Sequence, residues 1–224
     1  MTQLRRPEAK LTLRLATKAD LDDITKVAQA GFPDDPEFDY RFPERKKYPE
    51  DNWKWTRQEY EEYIDQPEKF AVLVVTAPVE SDGETANKPI SLAVWDMSVL
   101  TNSKGGNLGI DSRRDVNKRH FKEFAKTLDE AFNKYFSKYG KKQYHLWLLA
   151  THPDFRGQGA GTMLCKWGME KAREKDYMAT VLGSSMGKNL YEHLCFDLLG
   201  SVTVQVDDED EKLTVYCLEY KKSD

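Results

Sequence analysis

Apolar and polar residues alternate through LTLRLA (11–16), the period-two pattern of a half-buried strand. The period then lengthens. Leu21, Ile24, Val27 and Ala28 share one face of a helix within ADLDDITKVAQAGF (19–32), with Thr17 or Asp20 placed to cap it. Residues 33–56 keep neither period and read as an irregular segment rich in proline, charge and aromatics. TRQEYEEYI (56–64) then predicts a short helix that stops before Pro67. FAVLVV (70–75) and ISLAVWDMSV (90–99) read as hairpin strands joined by the polar loop APVESDGETANKP (77–89).

Phe121, Phe124, Leu128, Phe132, Tyr135 and Phe136 recur at steps of three and four, which predicts a long amphipathic helix over 112–139. QYHLWLLA (143–150) is the most apolar strand pattern and suits a central position. A glycine-rich turn opens the next helix, at about 157–175. After it come a strand (MATVLGS, 178–184), a short helix (MGKNLYEHL, 186–194) and a closing hairpin (197–206 and 212–220) around DDEDE. No low-complexity linker and no repeat divides the chain, so one domain over residues 1–224 is expected.

Composition narrows the classes. With 39% hydrophobic and 12% aromatic residues, the 224-residue chain has enough apolar surface for a full core. A net charge of −4 argues against nucleic acid as an obligatory partner. No apolar run approaches a membrane span, and MTQLRRPEAK is not followed by the apolar core of a signal peptide. Three widely spaced cysteines (Cys165, Cys195, Cys217) fit reduced thiols in a cytoplasmic or nuclear protein. No spacing of Cys or His suggests a metal site.

The candidate chemistry lies in HPDFRGQGAGT (152–162), where a strand, three glycines and a helix start leave free backbone N–H groups for an anion. A P-loop would need Gly-Lys-Ser/Thr here, and a dinucleotide fingerprint needs G-x-G-x-x-G; neither is present. The pattern Q/R-x-x-G-x-G/A is satisfied at every fixed position by Arg156-Gly157-Gln158-Gly159-Ala160-Gly161. This segment resembles motif A of the GNAT superfamily of N-acetyltransferases, and SSMGKNLYEHLCF (184–196) resembles motif B, with Cys195 where a glycine is usual. The likeness is strong over 143–205 and only topological over 11–99.

That resemblance implies an α/β (α+β) fold of the GNAT type: a central, mixed but mostly antiparallel twisted sheet of about seven strands flanked by helices, with a helical insert (about 100–142) between strands three and four. It implies acetyl-CoA as cosubstrate and no metal. The amides of Gly157, Gln158, Gly159, Ala160, Gly161 and Thr162 would hold the diphosphate, with Arg156 adding positive charge. The strand 143–151 would splay from 178–183, and the pantetheine arm would pair with Leu149, Ala150 and Thr151 as an added strand while Asn189 bonds its amide. Tyr191 matches the family's acid for the departing thiolate.

The base is open between His145, Asp96 and a water relay. Cys165 could in principle carry an acetyl group, but nothing nearby activates it. Nine aromatics in 32–63 with interleaved carboxylates suit a small-molecule amine acceptor. A protein or peptide acceptor and a non-catalytic coenzyme-binding module are the alternatives. The insert's apolar face must be buried on the sheet or on a second subunit, so monomer and homodimer both stay open.

Overall fold

The computed structural model describes residues 10–81, 83–99 and 108–221. Seven strands form one sheet in the order β1-β2-β3-β4-β5-β7-β6. They are β1 (Thr12–Leu15), β2 (Phe70–Ser81), β3 (Glu84–Asp96), β4 (Gln143–Thr151), β5 (Met178–Gly183), β6 (Asp197–Gln205) and β7 (Lys212–Tyr220). Every pairing is antiparallel except β4 with β5, and the most apolar strand, β4, lies at the centre.

Helices cover both faces. On one, α1 (Leu21–Gly31) and α3 (Pro49–Ile64) close over Val72, Val74, Leu92, Val94 and Ala150. On the other, α5 (Ala160–Glu174) packs Leu164, Cys165 and Ala172 against Leu73, Val75, Ala93, Trp95 and Leu146. Two glycines set these distances. A Cβ on Gly168 would lie 2.1 Å from the Trp95 ring, and one on Gly31 would lie 3.0 Å from the Thr151 carbonyl oxygen.

Three expectations need correction. Residues 33–56 are largely helical: α2 (Pro36–Arg41) starts from Asp35, whose carboxylate accepts from Glu37 N at 3.0 Å, and α3 begins at Pro49. Both prolines occupy the first helical position, where the missing N–H costs nothing, so they start helices instead of breaking them. The expected loop 77–89 is mostly ladder, since β2 and β3 stay paired out to Ser81–Glu84. Their outer halves lie beyond the core, and backbone hydrogen bonds continue there without an apolar pattern to announce them.

The helix expected over 112–139 begins only at α4 (Lys118–Tyr135), where the Asn117 side chain accepts from two amides. The residues just before it hold a buried bidentate pair between Arg113 and Asp115, at 2.6 Å. The apolar face of α4 is buried within the chain. Phe124 joins Tyr40, Val204 and Val215, while Ala131 and Phe136 join Cys217. The first part of the insert, 100–107, lies outside the described residues.

Candidate active site

The site is built where two strands stop pairing. β4 and β5 run in parallel register only from Gln143–Met178 to Leu146–Val181. Beyond that point β4 keeps its β3 partners (Leu148–Val94, Leu149–Ala93, Ala150–Leu92, Thr151–Ser91) but has no strand partner on its other side among the described residues. The register slips between Trp95 and Val94, leaving Trp147 as the extra residue of a bulge. A bulge sharpens the local twist and frees backbone groups, so every second residue over 147–151 presents its N–H and C=O to an open slot, apart from the Thr151 carbonyl, which accepts from Arg156. Leu149, Ala150 and Thr151 all lie on this segment. Thr151 is fixed by a 2.7 Å contact between its hydroxyl and that of Ser91.

The glycine turn follows at the end of this slot. Gly157 and Gly159 have φ of +73° and +90°, a left-handed region that L side chains enter at a cost, and a Cβ on either would face open space. Gly159 is the cap of α5, and the first amide to reach back to it is Met163 N, at 3.0 Å. The N–H groups of Ala160, Gly161 and Thr162 therefore precede the helical ladder. Gly161 has a different task, bringing the helix start against Leu190 of α6 (Ser185–His193), which a Cβ would meet at 3.3 Å. The open space, the oriented amides and the helix dipole suit a diphosphate.

Arg156 points elsewhere. Its guanidinium pairs with Asp34 at 2.6 Å, donates to the Gly31 carbonyl at 2.8 Å and lies 3.3 Å from the Thr151 carbonyl oxygen. It straps the turn to the end of α1, and Asp34 already compensates its charge. Asn189 is exposed on α6.

Tyr191 is buried on the same helix, with its ring clamped between glycines. A Cβ on Gly183 or Gly187 would lie 2.7 or 2.9 Å from its Cε2. Burial first, then the neighbouring Cys165, Glu37 and Asp35, raise the phenol well above its usual range, so it holds its proton at neutral pH. Cys165 is likewise held as a thiol, pushed up to about 12 by burial.

Asp96 and His145 are brought together as cross-strand partners, but neither meets Tyr191, which packs with the α5 cluster. His145 is enclosed by the Phe132 and Phe136 rings, and its Nδ1 lies 2.9 Å from Thr180 Oγ1. Burial lowers its conjugate acid to about 3, which makes it a weak proton acceptor and a natural core residue. Asp96 binds Ser98 through its own carboxylate, accepting from N at 2.8 Å, and burial raises it above the usual range.

Sequence reasoning missed three features here. Trp147 stands half-exposed at the bulge and donates from Nε1 to Tyr63 Oη at 2.8 Å. That hydroxyl in turn donates to Glu59 at 2.9 Å. Glu37, on α2, has an oxygen that is closed to solvent and without a hydrogen-bond partner among the described residues. Only the tyrosine clamp left a trace in the sequence, as glycines four and eight residues before Tyr191.

Residues 123–200 match the family described as the Acetyltransferase (GNAT) family. An acetyltransferase of Stachybotrys chartarum is 22% identical over 218 residues, covering 94% of this chain and 90% of that protein. Among solved structures, an agmatine N-acetyltransferase superposes with a TM-score of 0.60 at 11% identity, over 94% of this chain and 98% of its own. An N-acetyltransferase of Thermoplasma acidophilum, solved in complex with coenzyme A, gives 0.50 at 12% identity, over 95% and 99%. The match to the Acetyltransferase (GNAT) family is confined to residues 123–200, and the chain as a whole shares its fold with these acetyltransferases.

Among the described residues no helix is long and apolar enough to cross a membrane, and no group of three His, Cys, Asp or Glu could hold a metal ion.

Proposed function

We propose that this chain, read as a single domain, is an acetyl-CoA-dependent N-acetyltransferase that acylates the primary amine of a small molecule in a ternary complex. One observation carries the reading: the left-handed glycine turn at the start of α5 and the unpaired 147–151 edge of β4 are contiguous, forming an anion cradle at the end of an open strand edge. Acetyl-CoA supplies an activated thioester. The residues of this chain do the rest. Amides of the 157–162 turn bind the diphosphate, and β4 backbone groups take the pantetheine arm and polarise the carbonyl. The Tyr191 phenol gives its proton to the departing thiolate.

The small-molecule preference draws support from the agmatine N-acetyltransferase that shares the fold, and from the Trp147–Tyr63–Glu59 chain that brings aromatic and acidic side chains of α3 to the bulge.

Calorimetric titration tests the cradle. Acetyl-CoA is expected to bind the wild type, and Gly159→Ala to weaken it at least about tenfold, the worth of one hydrogen bond to a charged group. Absence of heat with the wild type, or equal affinity in the variant, would overturn the assignment. Thiol release with a panel of amines and peptides then separates small-molecule from protein acceptors.

A further inference from the structure

A carboxylate inside a protein is normally paired or neutralised. Glu59 meets this rule through Tyr63, but Glu37 does not: its Oε1 is shut from solvent and bonded to nothing among the described residues. Arg41 on the same helix faces Glu37 as an opposite charge, yet makes no hydrogen bond to Oε1. α2 is started by Asp35 and Pro36, and Arg41 anchors it by lying 4.4 Å over the Phe124 ring.

Glu37 lines a cleft of about 230 Å³ together with Asp35, Ser184, Lys212, Thr214 and Tyr216. Ser184 follows β5 directly and caps α6, its hydroxyl accepting from Gly187 N. The cleft thus opens at the end of β5, just past the point where β4 and β5 part. Tyr191 lies close enough for its phenol to feel both Glu37 and Asp35. The charged and titratable groups facing Glu37 are Asp35 and Arg41 on α2, Tyr191 on α6, and Lys212 and Tyr216 on β7.

We propose that Glu37 is the acceptor-site carboxylate: it binds the incoming ammonium and takes the proton that must leave before the nitrogen can attack. The inference rests on the acetyltransferase reading above. Glu37 accepts one proton from R–NH3+, leaving the nitrogen lone pair free. The N–C bond forms and the C–S bond breaks, its electron pair going to sulfur. Tyr191 protonates that sulfur and is reprotonated from the new amide nitrogen. One proton remains on Glu37 and returns to solvent when product leaves.

Burial, with Asp35 beside it, pushes Glu37 up to about 7, so the group is poised to exchange a proton near neutrality.

Glu37→Gln, Glu37→Asp and wild type are compared by three readouts. Carboxyl 13C NMR of the apo protein should show a glutamate titrating near 7 that is missing from E37Q. With 2-phenylethylamine and 1,4-diaminobutane as acceptors, kcat/KM for the amine should fall about 10²-fold or more in E37Q. The acidic limb of its pH profile should disappear, and E37D should restore part of the rate. Acetyl-CoA affinity by calorimetry should stay the same.

A wild type that binds no acetyl-CoA would refute the functional reading itself. Unchanged amine kinetics in an E37Q variant that binds acetyl-CoA normally, or the absence of the titrating resonance, would overturn only the role of Glu37.

Discussion

Gly168→Ala places one methyl group against the largest fully buried side chain among the described residues. The new Cβ would lie 2.1 Å from Cε2, 2.2 Å from Cζ2 and 2.5 Å from Cδ2 of Trp95. Carbon atoms rest about 3.5–4.0 Å apart, so the indole would have to retreat by about 1.4 Å or more. It has nowhere to go: Trp95 is fully buried and its Nε1 donates to the Leu164 carbonyl, one turn earlier on α5, at 3.2 Å. Overpacking costs about 1–3 kcal/mol, and stranding the indole N–H adds about 1–3 kcal/mol. Alanine's better helix propensity returns about 1 kcal/mol.

The net is a loss of about 3 kcal/mol, which in a chain of this size lowers Tm by about 6–12 °C. Urea and thermal unfolding followed by tryptophan emission would measure it. Because the clash is local to one pair, Trp95→Phe should relieve it, so the double variant should be less destabilised than the two single losses added. A G168A protein as stable as wild type, or strictly additive costs, would refute the packing argument. The functional consequence is separate. Displacing α5 moves the glycine turn at its start, so acetyl-CoA affinity should fall along with stability.

Two further predictions concern titration and strain. His145 is held neutral by burial, with its conjugate acid at about 3, whereas an unfolded histidine protonates near 6.5. The unfolded state therefore binds more protons below 6.5, and the folded state loses about 2 kcal/mol between pH 6.5 and 5 from this residue. In urea melts at the two pH values, His145→Asn should show that much less acid sensitivity, and parallel slopes would show the ring to be accessible to protons. Cys195 adopts φ of +63° directly after α6, the position where glycine is usual. Cys195→Gly should raise stability by about 0.5–1 kcal/mol, with a matching rise in Tm, and a fall in Tm would mean the thiol makes a contact that outweighs the strain.

Much of this protein could be read along the chain because its signals are local. Apolar periodicity marks α1, α4 and β4 without reference to any other segment, and the spacing of Arg156 to Gly161 needs only the turn it builds. The same locality explains the errors. Pro36 and Pro49 look like breaks until the chain around them is seen to start helices. The outer ends of β2 and β3 carry no apolar pattern because, past Ala77 and Val79, they lie exposed.

Tertiary structure decided what depends on two segments meeting. Whether β4 and β5 stay paired is settled by the Trp147 bulge and the strands on either side, not by either sequence alone. His145 and Asp96 look equally suited to proton chemistry as residue types, yet packing closes one ring among phenylalanines and turns the other carboxylate onto Ser98. Glu37 carries no motif at all. A carboxylate's proton affinity is set by the solvent and charges around it, and those arrive only when α2, β5 and β7 come together.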